Sequence, residues 1–326
     1  MQALPEHADD LEALHDLAYA AMDRGELAMA SRYFEALLEH KPDDRHYHYM
    51  CGLAHKYLLD WPTSLHHNLR AIALSDEVGQ AEHWNAAIAA SGLGDWERVR
   101  ALWDACGVHV PEGRGAIVDD YGIAVARLNP WNGGETVWMR RIDPVRARLL
   151  NVPLPESGHR FGDIVLHDGA STGSRWDGDR QVHVFNELQR LEPSDFATHV
   201  VFVSCDRSQD LQDLLDATAP GIGYIEDWTD SVRYYCLRCS YGAAHRHDAP
   251  MINDDWAADR NLGIAAQSRK SVEKLLSDWE KSGNGRRVEG IETRECDVPE
   301  RVDGHVWWRE PETDQENAEG EEDEVA

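Results

Sequence analysis

Three kinds of hydrophobic pattern succeed one another along the chain. Over residues 11–42 apolar positions recur three or four apart, small alternating with large, in Leu14, Leu17, Ala18, Ala21, Ala30, Phe34 and Leu37. That spacing predicts two antiparallel helices, with Gly25 loosening the turn between them and Pro42 ending the second. Residues 45–76 repeat the scheme through Gly52, His55, Ser64, Ala71 and Leu74, with Asp76 where the proline would stand. Residues 80–111 repeat it again through Ala86, Ala87, Ala90, Gly94, Trp96, Val99, Trp103 and Pro111. The landmarks Phe34, Asn68 and Trp103 are 34 and 35 residues apart, a period that predicts stacked helical hairpins.

Past Gly113 and Gly115 the pattern alternates instead. Strands are predicted at 136–142, 147–154, 162–167 and 181–185, separated by turn-forming runs such as Asn132-Gly133-Gly134 and Asp177-Gly178. A third regime begins at Thr198, an apolar strand to Ser204 followed by a helix at 206–215 with Leu211, Leu214 and Leu215 inward. Strands at 223–228 and 231–235 return, then a strand at 262–266, a helix at 271–282 and a strand at 287–292. Two βαβ units in succession predict a ferredoxin-like sandwich. The whole is thus a multidomain α + α/β chain with N-terminal helical repeats over 1–112 and a small antiparallel β module over 113–193. A ferredoxin-like α/β sandwich follows over 194–308, with an insertion at 236–261, and the chain ends in a disordered acidic tail over 309–326.

The first third resembles a tetratricopeptide repeat (TPR) protein over about residues 11–111, on the small-and-large residues and the period given above. In that family the first helix of each pair lines a concave groove. Carried over by repeat position, the groove would present His15, Tyr19 and Met22, then Tyr49, Leu53 and Lys56, then Trp84, Ile88 and Ser91. His15, Tyr49 and Trp84 are equivalent positions, so rings would recur along it, and such rings are common interface anchors. They equally suit packing on a neighbouring repeat or on the next domain. The family's clamp for a C-terminal carboxylate needs Lys, Asn and Arg at set groove positions. Lys56 alone is suggestive here, which disfavours the binding of chaperone tails.

Composition narrows the partners. Among 326 residues, 60 are acidic and 32 basic, for a net charge of −28, which repels nucleic-acid phosphates and anionic membranes. The run from Glu310 to Ala326 holds nine of the acidic residues, and setting it aside still leaves −19. The acidity of the folded part reads either as a plain solubility feature or as a surface complementary to a basic protein partner, and direct nucleic-acid or membrane binding is disfavoured. The opening Met-Gln-Ala-Leu-Pro-Glu lacks the parts of a signal peptide and no apolar run approaches a membrane span, so a cytoplasmic location is expected. Six cysteines in a chain of this length are too few for a disulfide framework.

Two of those cysteines carry the strongest chemical signal. Cys236 and Cys239 are two residues apart, a spacing that aims both thiolates at one ion, and His245 and His247 follow after Gly242. We read these four as a structural zinc (Zn2+) knuckle inside the insertion. A redox dithiol and plain packed cysteines are the competing readings. In the β module Ser157, His159, Asp163, His167, Asp168 and His183 offer acid–base chemistry, but strand-end turns gather the same residue types for local hydrogen bonds. The histidines of the second repeat, His46, His48, His55, His66 and His67, are expected on half-exposed helix surface.

The chain therefore reads as a non-enzymatic protein-binding protein, one version being a bacterial immunity or inhibitor protein that neutralises a basic toxin. The alternatives are a zinc-dependent or His/Asp-based hydrolase, and a secretion or assembly adaptor or chaperone.

Overall fold

The computed structural model describes residues 10–75, 79–231 and 256–309. Six helices come first: α1 Leu11–Asp23, α2 Leu27–His40, α3 Arg45–Tyr57, α4 Trp61–Ala73, α5 Gln80–Leu93 and α6 Trp96–Ala105. Four of them start on an aspartate whose carboxylate accepts backbone N–H groups of the first turn, namely Asp10, Asp44, Asp60 and Asp95. Phe34, Asn68 and Trp103 are fully buried at equivalent places in the three hairpins. The turns between paired helices need a left-handed residue, supplied by Gly25 and Gly94 in the outer repeats and by Leu59, at φ 60°, in the second. A leucine there carries strain of about 1–2 kcal/mol that glycine does not, which marks the second repeat as the divergent one.

Helix α2 has no capping side chain of its own. Its first N–H groups, on Leu27 and Ala28, donate instead to Asp303, at 2.7 and 3.2 Å. Asp303 belongs to a C-terminal strap, residues 297–309, that returns across the β module to the repeats. Gly25 seats this strap: Gly304 N–H donates to the Gly25 carbonyl at 2.9 Å, and a Cβ on Gly25 would lie 2.3 Å from the His305 backbone.

The β module is a closed five-stranded barrel, with strand order β1 Ile123–Leu128, β2 Glu135–Arg141, β3 Arg146–Leu149, β4 Ile164–Trp176 and β5 Gln181–Glu192. This corrects the expected four antiparallel strands. The additional strand β1 is buried along nearly its whole length, Arg127 included, so it lacks the apolar–polar alternation of a half-buried strand. It closes the barrel by pairing parallel with β5 through Val125↔Val184 and Ala126↔Phe185. Ala124, Leu128, Met139, Leu149, Val165 and Phe185 fill the interior.

In the last third, β6 Ala197–Cys205, α7 Ser208–Leu215, β7 Ile222–Asp227, a short α8 Trp228–Ser231, β8 Asp259–Ala266, α9 Arg269–Lys281 and β9 Arg286–Arg294 follow in order. The sheet runs β7-β8-β6-β9 with every neighbouring pair antiparallel. Val201, Val203, Ile225, Leu262 and Ile264 share one core with Leu211, Leu214, Val272, Leu276 and Trp279 from α7 and α9. Val200 and Ala265, from the other face, cluster with Val152 beside the barrel. Two expectations are corrected. Ser231 ends a helix rather than opening a strand, and residues 259–261, placed by the sequence in the insertion, belong to β8. The rest of the expected strand at 231–235 lies outside the described residues, as does the acidic stretch from 310 onward. Among the described residues no helix is long and apolar enough to cross a membrane.

Candidate functional site: the repeat groove and what fills it

The first helix of each hairpin, α1, α3 and α5, carries the residues expected to line the groove, and the structure divides them into two sets. On α1, His15 and Tyr19 are half-buried, their rings 4.6 Å apart. The His15 ring joins the next hairpin through Nδ1, 3.1 Å from the Tyr47 hydroxyl, and Tyr19 stands edge-on to Phe34. Tyr49 and Leu53 on α3 are also half-buried. Burial and the nearby Tyr47 and Asp44 raise the Tyr19 hydroxyl pKa, while burial and the Glu82 carboxylate raise that of Tyr49.

The remaining groove residues face the barrel. Lys56 is 2% exposed and Ile88 fully buried. Lys56 Nζ donates to both carboxylate oxygens of Asp168, at 3.0 and 3.1 Å, and to Asn85 Oδ1 at 3.1 Å. The Tyr57 hydroxyl adds a bond to Asp168 at 3.1 Å. Asp168 comes from β4, so a barrel strand occupies this part of the groove. Trp84 lies over Gly169, where a Cβ would come within 2.6 Å of its ring, and meets Trp103 edge-on at 4.7 Å. Burial, with the Asp168 carboxylate behind it, pushes the Tyr57 hydroxyl well up, keeping it a protonated donor.

The strap completes the junction. Trp307 is 3% exposed and stands edge-on to Tyr57 and to Trp131 of the barrel, with centroids 5.3 and 5.6 Å away. Trp308 stacks on Tyr57 at 4.7 Å. The Arg301 guanidinium lies 3.9 Å from the centre of the Trp131 ring and donates to the carbonyls of Tyr57 and Leu188. Its burial draws its pKa down to about 10, leaving it charged at neutral pH.

The acid–base candidates of the barrel are not brought to one centre. His159 Nε2 lies 2.7 Å from Glu187 Oε1, both fully buried, and the Glu187 carboxylate also accepts the Asn129 N–H. Burial disfavours a charged His159, but the Glu187 charge and hydrogen bond outweigh it and raise the pKa. Asp163 accepts the N–H groups of Ser194 and Arg160. The Ser157 hydroxyl turns onto the Leu154 carbonyl. His167 Nδ1 lies 2.7 Å from the Asp168 carbonyl, and burial pulls its pKa down to about 4. His183 sits out on the exposed ribbon against Ser171.

One acid the sequence did not single out, Glu135, is pushed up to about 7, by burial first and also by the neighbouring Glu226. Glu135 accepts the Leu154 N–H. A carboxyl whose folded pKa exceeds its unfolded value near 4.5 destabilises the fold as pH rises through that interval, with the full cost present above about 7. Since the side chain keeps some solvent contact, we expect Glu135→Gln, which retains an acceptor, to gain about 1–3 kcal/mol at pH 8 and almost nothing at pH 4. Urea unfolding of variant and parent across that range checks this. His67 and His167, both pulled down to about 4 chiefly by burial, act in the opposite sense. Their contribution is intact above pH 6.5 and falls as pH drops toward 4, and it cancels in the difference between the two proteins.

In the second repeat the expectation of half-exposed surface is corrected for two histidines. His48 and His55 are buried, while His46 and His66 are exposed and His67 is half-buried. His48 Nδ1 is 2.9 Å from His67 Nδ1, and His55 Nε2 is 3.3 Å from Glu35 Oε1. Cys51, one turn before His55, has its thiol pushed up to about 12 by burial, with Glu35 and Asp60 adding to it. The predicted zinc ligands Cys236, Cys239, His245 and His247 lie outside the described residues.

Helices α1–α6 form three consecutive helical hairpins, followed along the chain by a barrel and an α/β sheet domain. No protein-family model matches the chain, and no curated protein matches it. Among solved structures it is similar to the TPR2B domain of yeast Sti1 in its pHsp70 complex. The identity is 14% and the TM-score 0.27, over 29% of this chain and 75% of that one. It is also similar to a K341M mutant of Thermobaculum terrenum O-GlcNAc transferase, at 22% identity and a TM-score of 0.27. That match covers 32% of this chain and 20% of the transferase chain.

Proposed function

We propose that this chain is a non-enzymatic protein-binding protein whose partner docks on the open end of the repeat groove. The carrying observation is the division of the groove: its α5 end is filled by Asp168 and Gly169 of the barrel, whereas His15 and Tyr19 on α1 remain partly accessible. Glu12, Asp16 and Asp23 are exposed on the same helical stripe. Rings beside carboxylates suit a basic partner segment, the rings supplying contact area and the charges steering the encounter. A basic toxin neutralised by this chain is the specific version we favour, and a secretion or assembly adaptor would use the same surface with several partners. The hydrolase alternative finds no support in the dispersed acid–base residues of the barrel.

We read the last third as ferredoxin-like, supported by the order β7-β8-β6-β9 and by α7 and α9 packing on one face. The segment from 232 to 255 falls between α8 and β8 in the sequence, and we assign its Cys236, Cys239, His245 and His247 to a structural zinc ion on the strength of their spacing.

A photo-crosslinking residue placed at Tyr19 in the full chain, in its native host at low salt, tests the binding proposal. We expect one basic protein to be captured there, none at the exposed Leu93 at the far end of α5, and loss of capture when Asp16→Arg is added. A chain that purifies alone with no crosslink at Tyr19 would sink the proposal.

A further inference from the structure

We propose that Glu35, Cys51 and His55 form a binding site, within the second repeat, for one divalent transition-metal cation of the zinc class. Their ligand atoms, a carboxylate oxygen, a thiol sulfur and an imidazole nitrogen, all lie within 4.8 Å of one another. Among the described residues this is the one place where three such groups converge. Cys51 and His55 are four apart on α3 and so share a helical face, and Glu35 reaches across from α2.

Three features separate this from an ordinary buried ion pair. The first is orientation. The far nitrogen of the His55 ring, Nδ1, is buried without a hydrogen bond and lies 3.2 Å from Asp60 Oδ2, so a small turn of the ring completes the carboxylate–imidazole pairing that orients a metal-binding histidine. Asp60 is itself held in place as the N-cap of α4. The second is charge. A thiolate and a carboxylate bring two negative charges to a site whose Cys51 is fully buried and His55 nearly so, and a divalent cation cancels both. The third is ligand chemistry: mixed sulfur, nitrogen and oxygen donors suit a borderline cation, and three protein ligands leave one position for water. Glu35 is exposed, so the ion has a route in. On binding, the Cys51 S–H proton passes to solvent as the sulfur–metal bond forms.

The test uses the full chain carrying Cys236→Ser and Cys239→Ser, stripped with a chelator and titrated with cobalt(II). We expect one equivalent to bind with a thiolate-to-cobalt charge-transfer band in the near ultraviolet, and Cys51→Ser to abolish that band. Glu35→Gln changes an exposed side chain and Asp60→Asn keeps a good helix cap, so both variants should fold. Each should weaken cobalt binding by about 10- to 100-fold. Absence of the band in the double-serine chain, its survival in Cys51→Ser, or unchanged affinity in Glu35→Gln would each overturn the proposal. The zinc knuckle is scored separately, by whether the parent chain holds one more equivalent than the double-serine chain.

Discussion

Asp168→Ala should cost the folded chain about 3–5 kcal/mol, the expected penalty for leaving a buried charge without its partner. Lys56 and Asp168 expose only 3% and 4% of their side chains. Removing the carboxylate strands the Lys56 ammonium with Asn85 as its remaining acceptor and takes away the acceptor of the Tyr57 hydroxyl. The loss should appear in urea unfolding followed by tryptophan fluorescence. The double variant Lys56→Met with Asp168→Leu should recover most of it, because a buried ion pair replaced by apolar groups of similar size is often close to neutral. A coupling energy near zero in that double-mutant cycle would mean that the pair does not hold the repeats to the barrel.

Trp307→Ala is expected to cost a similar amount, about 3–5 kcal/mol, by opening a cavity between repeats and barrel. The ring is buried against Tyr57 and Trp131, and its backbone carbonyl accepts the Asn186 side-chain amide. Trp308, half-buried and stacked on one face of Tyr57, should cost less when replaced by alanine, about 1–2 kcal/mol. Asp303→Ala removes the cap of α2 and should cost about 1 kcal/mol, with faster hydrogen exchange at the first turn of that helix. If Trp307→Ala and Trp308→Ala unfold at the same urea concentration, the assignment of Trp307 as the strap's anchor is wrong.

Much of the helical third was legible from the chain. The recurrence of Phe34, Asn68 and Trp103 and the aspartates before α1, α3, α4 and α6 are local signals. Strands β2, β4 and β5 announced themselves by alternation and by the turns beside them. Strand β1 did not, because a strand buried on both faces shows no alternation. The strap was not legible either: residues 297–309 have no period, and what holds them is a set of partners far away in the chain. The groove was half legible. Repeat position correctly placed Tyr49, Lys56 and Trp84 on first helices, but nothing at those positions announces that β4 will lie against them. The metal candidate divides in the same way. The four-residue step from Cys51 to His55 is visible, while Glu35 joins them only once α2 packs on α3.

The sequence alone determined what depends on neighbours within a turn of helix or a pair of strand residues: the repeat period, the helix starts and most strand positions. Tertiary structure decided which of those faces meets solvent. Lys56 is a groove residue by its place in α3, yet its charge is matched by an aspartate 112 positions away, and α2 is capped by a carboxylate 276 positions away. Such contacts form only when the chain closes on itself, since burial belongs to the assembled surface and not to any one segment.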